Sequence, residues 1–476
     1  MARRRSRNPI GFTPWPVTFF VVASFVALFA SLITTHNIVP AAPSNPTPFK
    51  GINITEAWQD LQFLTNGYHP YNSRRNDEVR NWLLQRIEAI IKKNKPLDDD
   101  SKSAPKAPAI IFNDIESNLT FGSDDSALAI AFTGTNIMVY IIGSEDVGGN
   151  FWEQDSPEIT KGGVLVNAHF DSVPSGYGAT DDGVGVVSVL QLISYFTVPE
   201  NRPKRGVVAL LNNREEDYLN GAYAFTQHPL SKFPHTFLNL EGAGAGGRAV
   251  LFRSSDTEVT RFYKRVPHPF GTVVSADGFK RKLVRSQTDY VIFNGELGMR
   301  GLDVAFMEPR SRYHTQEDST RYTSKDSLWH MLSGAIATVE GLASDTSDQF
   351  DGESVSKGKV PAGQGSDSVW FDLFGRVFAV FELNSFFAVS VTLLVVTPLI
   401  LLALTALLVK LDKWYPFSTT KILDDSDESV LIDGLKGFFR TPVAYVAAAG
   451  TLFGLVFLVA KINPYIVYSS GYSVWR

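Results

Sequence analysis

The sequence predicts an α/β protein, a mostly parallel mixed sheet flanked by helices, combined with three transmembrane helices. Between Asn136 and Ala343, short apolar runs of strand length alternate with longer helical patterns. That order builds a parallel sheet covered on both faces. The polar clusters of this stretch fall where strands end, and sites in such folds sit at the carboxyl ends of strands. Outside it, three apolar runs are each long enough to cross about 30 Å of hydrocarbon.

The first of these runs, Val17 to Ile33, follows Arg3, Arg4, Arg5 and Arg7, with Trp15 at its mouth. It exceeds the apolar core of a cleavable signal peptide, about 7–15 residues, and lacks that peptide's short format. It therefore reads as a span, with residues 1–15 cytosolic and 16–35 in the membrane. The second and third runs are placed at 386–409 and 441–460. Lys410, Lys413, Lys421, Lys436 and Arg440 lie between them, which assigns 410–440 to the cytosolic side as well. Residues 36–385 then form a lumenal domain with linkers. Residues 461–476 form a lumenal tail, and a chain ending so soon after a span is expected to be a truncated product.

Composition narrows the function classes. The chain of 476 residues has a net charge of −5, is 44% hydrophobic and is 20% charged. No basic half or lysine-rich run points to nucleic acid. There is no cysteine, so disulfides and thiolate metal sites are excluded, and any zinc must be held by histidine and carboxylate. Asn53 and Asn118 open two glycosylation sequons inside the lumenal stretch, as a glycoprotein would carry them.

Within that stretch, residues 40–50 read as a linker and 95–107 as a solvated loop. Residues 74–93 form an amphipathic helix. Strands are expected at 136–142, 163–168, 207–211, 237–240 and 303–307. Helices are expected from Gly183 to Phe196, through Ala222–Thr226 and from Ser327 to Ala343.

The chemistry lies at the strand ends. His169 and Asp171 follow the strand GVLVNA. Asp181 and Asp182 precede a helix. Glu215 and Glu216 follow VVALL and a short NNR. Glu241 ends FLNL, and His314 follows DVAFMEPRSRY. Each has an ordinary reading: a structural histidine, a helix cap or a solvated turn. Together they are sufficient ligands for a zinc pair, and burying so many carboxylates is costly unless cations compensate them. Neighbouring side chains on a strand point to opposite faces, so Glu215 and Glu216 can serve one site only just past a strand end. One can then bind metal while the other takes a proton from water. The remaining histidines, His36, His69, His228, His235, His268 and His330, sit in ordinary contexts without partners at ligand spacing.

The segments NAHFDSVPSGYGATDDGVG, NNREEDYLNGAYAF, FLNLEGAGAGG and SRYHTQED resemble the zinc aminopeptidase family of aminopeptidase Y and the secreted bacterial leucyl aminopeptidases. The N-terminal span, the run HPYNSRRNDEVRNWL and the further spans are similar to the fungal vacuolar-membrane branch of that family. The resemblance implies a zinc exopeptidase-like fold and two zinc ions per subunit. It implies that His169 binds one zinc and His314 the other, with Asp181 bridging. Glu216 and Glu241 each bind the zinc of one side, and Glu215 is the general base. Asp171 orients His169, and Tyr313 donates to the oxyanion. Glu241 replaces the aspartate usual in soluble relatives, and Asp217 the glycine usual after the glutamate pair.

The function expected from this is that of a membrane-anchored zinc metallopeptidase, an aminopeptidase acting on peptide or protein substrates at the vacuolar membrane, its catalytic domain lumenal. Two rivals share the fold: a one-zinc glutaminyl cyclase, which does not need His169, and a silent lumenal binding domain, which would have lost ligands. A membrane scaffold or transporter is disfavoured because no ionisable residue interrupts the spans.

Overall fold

In the computed structural model the described residues are 14–94, 108–123, 128–146, 150–153, 161–354, 357–411, 413–414, 420–423, 426–431 and 434–466. They fall into two compact units that divide between Glu382 and Leu383.

The first unit is built on seven strands: β1 (Ala109–Asn113), β2 (Ile137–Ile141), β3 (Gly163–His169), β4 (Val207–Asn212), β5 (Pro234–Gly242), β6 (Gly246–Ser254) and β7 (Arg300–Glu308). Their spatial order is β1-β2-β4-β3-β5-β7-β6. The middle four, β4, β3, β5 and β7, run parallel. Antiparallel pairing adds β1 and β2 on one side and β6 on the other. The strands marked by the apolar runs are all here.

Both faces are covered, which is why β3 and β4 read as continuous apolar runs. Val164, Val166, Val207 and Ala209 face one buried cluster, and Leu165, Val208 and Leu210 face the other. The first cluster is filled by helices α2 (Ile54–Leu64), α3 (Arg74–Asn94), α4 (Val184–Thr197) and a later helix, Lys325–Ser344. The second takes Phe225 from α5 (Asn220–Gln227), with Phe237 and Phe293. The helix Lys325–Ser344 is α6, and Ser324 caps its start by accepting the Ser327 N–H. Asn53 does the same for α2, accepting from Thr55 and Glu56. Asn118 begins a strand of the hairpin formed by Asn118–Ser123 and Leu128–Thr133.

Residues 38–53 contain no helix or strand, yet they are tied down: the Ala42 N–H donates to Asp326 and the Lys50 carbonyl accepts from Asn201. The loop at 95–107 lies outside the described residues. A second hairpin, β8 (Ser368–Leu373) with β9 (Val377–Glu382), closes the unit.

Among the described residues, three helices are long and apolar enough to cross a membrane: α1 (Pro14–Asn37), α7 (Leu383–Lys410) and α8 (Gly434–Ile462). Their apolar stretches are Phe19–Asn37, Leu383–Lys410 and Pro442–Ile462. The second unit consists of α7, α8 and, between them, the short hairpin Thr420–Leu423 with Ser426–Leu431.

Candidate metal centre

The parallel strands aim their carboxyl ends at one edge, and the candidate residues gather there. His169 closes β3 and pairs in register with Asn212, the last residue of β4. The chain turns at Arg214, which adopts a left-handed φ of 68°, and presents Glu215 and Glu216. Glu241 is the next-to-last residue of β5, beside Ala305 of β7. Asp181 sits in the turn Ala179–Gly183 between β3 and α4. His314 follows β7 and is itself left-handed, at φ 60°. A side chain is rarely held in that region unless its surroundings over-determine it.

The turn carrying Asp181 lies hard against β5. A side chain on Gly242 would meet the Thr180 carbonyl at 2.0 Å, so only glycine permits the approach. One on Gly185 would meet the Asp182 carboxylate at 2.1 Å. These contacts account for the glycines in DDGVG and EGAG. The two aspartates divide the work. Asp182 accepts the Gly185 N–H at the start of α4, while Asp181 points its oxygens at both histidines.

Two groups of ligand atoms result, and they share Asp181. His169, Asp181 and Glu241 form one; Asp181, Glu216 and His314 form the other. His169 Nε2 lies 3.4 Å from Asp181 Oδ1 and 3.7 Å from Glu241 Oε2. His314 Nε2 lies 3.0 Å from Asp181 Oδ2 and 3.1 Å from Glu216 Oε2. Both Nε2 atoms are buried at ion-pair distance but make no hydrogen bond, and neither do Oε1 of Glu216 and Glu241. Four orphaned buried donors on nitrogen and carboxylate oxygen suit a pair of divalent cations of the zinc type. Glu241 reaches the site in spite of its longer side chain. Glu215 belongs to neither group, and its Oε2 is 4.0 Å from His169 Nε2. The other described histidines join neither group.

The protonation tendencies point the same way. Burial pulls the His169 imidazole down, but the carboxylates of Asp171, Asp181 and Glu241 override it and hold it well above its ordinary value. His314 is also pulled down by burial yet raised to about 9 by Asp181 and Glu216. Burial, then the charge of Asp181, lifts Glu216 to about 8. Burial, then Glu241, lifts Glu215 well above the usual carboxylate range. The cluster carries more negative charge than its surroundings satisfy and gathers positive charge, from protons here.

The supporting shell is specific. Asp171 accepts the N–H of Glu215 at 3.1 Å and of Glu216 at 3.3 Å. His169 Nδ1 faces the Asp171 carbonyl at 3.0 Å and its carboxylate at 3.5 Å. The ring of Tyr313 stacks on His314 at 3.6 Å between centroids, with Arg310 over its other side at 3.9 Å. Burial and then the nearby carboxylates, Asp181 first, push the Tyr313 phenol up. Past Glu216, exposed Asp217 leaves the turn intact. Its carbonyl accepts from Asn220, and Tyr218 and Leu219 both take positive φ.

Sequence reasoning missed Asp318. It accepts from the backbone N–H and hydroxyl of Thr180 at 2.9 and 2.7 Å and from the Asp181 N–H at 3.1 Å. It thereby sets the Asp181 turn. Also missed was a polar layer beside and beneath the candidate ligands. Asn167 and Asn212 donate to Asp289, and Asn239 donates to Asp303, which pairs with Arg253 at 2.6 Å. The signal was available: Asn167 and Asn239 each interrupt an apolar strand, and Asn212 ends one.

Residues 151–339 match peptidase family M28. The vacuolar membrane protease of Aspergillus clavatus is 58% identical over all of this chain and 49% of its own length. That of Penicillium rubens is 56% identical over all of this chain and 48% of its own length. The chain thus spans about half the length of the relatives it matches. Among solved structures, the Legionella pneumophila LapA aminopeptidase has a TM-score of 0.44 at 15% identity, covering 62% of this chain and 72% of that one. A Porphyromonas gingivalis glutaminyl cyclase has a TM-score of 0.43 at 16% identity, covering 61% and 99%. By its own sequence, then, this chain matches the model of peptidase family M28 over residues 151–339 and is similar along its length to about half of each of these fungal proteins named vacuolar membrane protease.

Proposed function

We propose that the chain is a membrane-anchored zinc metallopeptidase that removes residues from the amino ends of peptides. The observation that carries the reading is the pair of three-residue ligand groups sharing one carboxylate, Asp181. His169, Asp181 and Glu241 would hold one zinc ion, and Asp181, Glu216 and His314 the other. Such ions supply Lewis acidity, polarising a peptide carbonyl and lowering the pKa of water.

The chain's own residues do the rest. Glu215, outside both groups but 4.0 Å from His169 Nε2, takes the proton from the attacking water and gives it to the leaving amine. Its raised proton affinity suits that exchange. Asp171 holds the backbone of Glu215 and Glu216 and faces Nδ1 of His169, which leaves Nε2 for the ligand position. Tyr313 donates to the oxyanion of the tetrahedral intermediate.

Location follows from charge. The arginines before α1 and the basic residues between α7 and α8 favour the cytosol, which supports a lumenal peptidase domain; a vacuolar membrane is supported by the names of similar fungal proteins. The test is hydrolysis of free and amino-blocked dipeptide reporters by the purified chain. Cleavage of the free forms alone, lost on chelation and restored by zinc, is expected. Release of pyroglutamate from glutaminyl peptides without hydrolysis would replace this reading with the cyclase one.

A further inference from the structure

The hairpin of β8 and β9 is apolar on both sides. Trp370, Phe378 and Val380 point inward and are buried in the main core. An antiparallel pair with one face on the core normally carries polar residues on the other. Here the outward positions form the cross-strand pairs Val369–Phe381, Phe371–Ala379 and Leu373–Val377. Leu373, Phe374 at the tip, Val377 and Phe381 are 44–58% exposed. A contiguous apolar surface of this kind marks a contact with something apolar.

Two neighbours say what that is. At the tip, a side-chain carbon on Gly375 would lie 3.3 Å from Thr35 Cγ2, so the turn abuts the last turn of α1, within its apolar stretch. At the other end β9 stops at Glu382, and the next residue begins the apolar stretch Leu383–Lys410. The hairpin therefore runs from the end of one candidate span to the start of the next. On the reading of α1 and α7 as spans, the intervening chain leaves those two helix ends on one side of a bilayer.

We infer that the outward face of this hairpin lies in the lipid surface, with Leu373, Phe374, Val377 and Phe381 among the upper acyl chains. This rests on the reading of α1 and α7 as spans. It gives the peptidase domain a membrane contact of its own besides the two candidate spans that flank it.

The chain has no cysteine, so single-cysteine variants can be labelled cleanly. An environment-sensitive fluorophore is attached to Phe374→Cys and to Val377→Cys in the full chain, reconstituted in phosphatidylcholine–phosphatidylglycerol vesicles. Phe25→Cys in α1 reports the span, and Asp348→Cys, on an exposed turn, reports water. The inference expects both hairpin labels to lose fluorescence to a nitroxide-bearing lipid and to ignore iodide, with Asp348→Cys the reverse. Iodide quenching of the hairpin labels overturns it. Shielding from both quenchers also overturns it, since protein would then cover the face, a second copy if dilution into excess lipid exposes it. If the Phe25→Cys label also escapes the lipid quencher, it is the spanning reading that fails.

Discussion

Asp171 accepts the backbone N–H of Glu215 at 3.1 Å. The same carboxylate takes the Glu216 N–H through its other oxygen. One side chain thus sets the position of the proposed base and of a proposed ligand. Asp171→Ala removes both anchors, and we expect metal affinity to fall about 10–100-fold, the range seen when outer partners of ligands are lost. Zinc titration against a competing chelator measures it; unchanged affinity would reduce Asp171 to a structural residue.

The adjacent glutamates should separate cleanly. Glu215 lies in neither ligand group, whereas Glu216 approaches His314 at 3.1 Å. Glu215→Gln should keep its metal and lose at least ~10²–10⁴-fold in turnover. Glu216→Gln should lose metal. Parallel elemental analysis and kinetics decide, and near-normal turnover in Glu215→Gln would refute the assigned mechanism.

Tyr313 is held by the His314 ring on one side and Arg310 on the other, so its ring packs whatever its hydroxyl does. Tyr313→Phe keeps the stack and deletes only the donor. A donor used in the transition state lowers kcat, here by about 10²–10³-fold, while KM changes little. A kcat within a few-fold of the parent would leave Tyr313 as packing alone.

Far from the site, Asp256 and Arg300 form a buried bidentate pair at 2.7 and 2.9 Å. Burial alone would raise the Asp256 carboxyl, but the Arg300 guanidinium more than offsets this and holds it below the usual range. A depressed carboxylate contributes stability that is complete above its unfolded value, about 3.9. That contribution is lost as pH falls through the lower folded value. Asp256→Ala should cost about 1–3 kcal/mol at neutral pH, because Arg300 keeps Glu258 at 2.8 Å but loses the two charge-assisted hydrogen bonds to Asp256. Denaturant unfolding from pH 7 to pH 2 tests both points: the variant should show less acid-dependent loss than the parent.

The strands and the polar residues gathered at their ends were legible for one physical reason. A sheet buried on both faces writes itself as uninterrupted Val, Leu and Ala, and the polar residues that end such runs stand out, as His169 and Glu241 do. Elements whose charges are paired in space did not announce themselves. Helix α2 contains Glu56 and Asp60, which look like solvated turn residues until Arg86 of α3 is seen to engage both. Strand β6 contains Arg253, whose buried charge is met by Asp303, with Gln287 and Thr288 accepting beside it. Asp318 hides in the polar segment TQED, and nothing local reveals that it grips a turn 137 residues away.

The central claim is that Asp181 is shared by two metal positions. It is tested most directly by zinc content of the purified chain, alongside Asp181→Asn. The account predicts two zinc ions per chain in the parent and loss of bound zinc in the variant, with the fold intact by circular dichroism. A parent that binds one ion and cannot be raised to two by added zinc would contradict it.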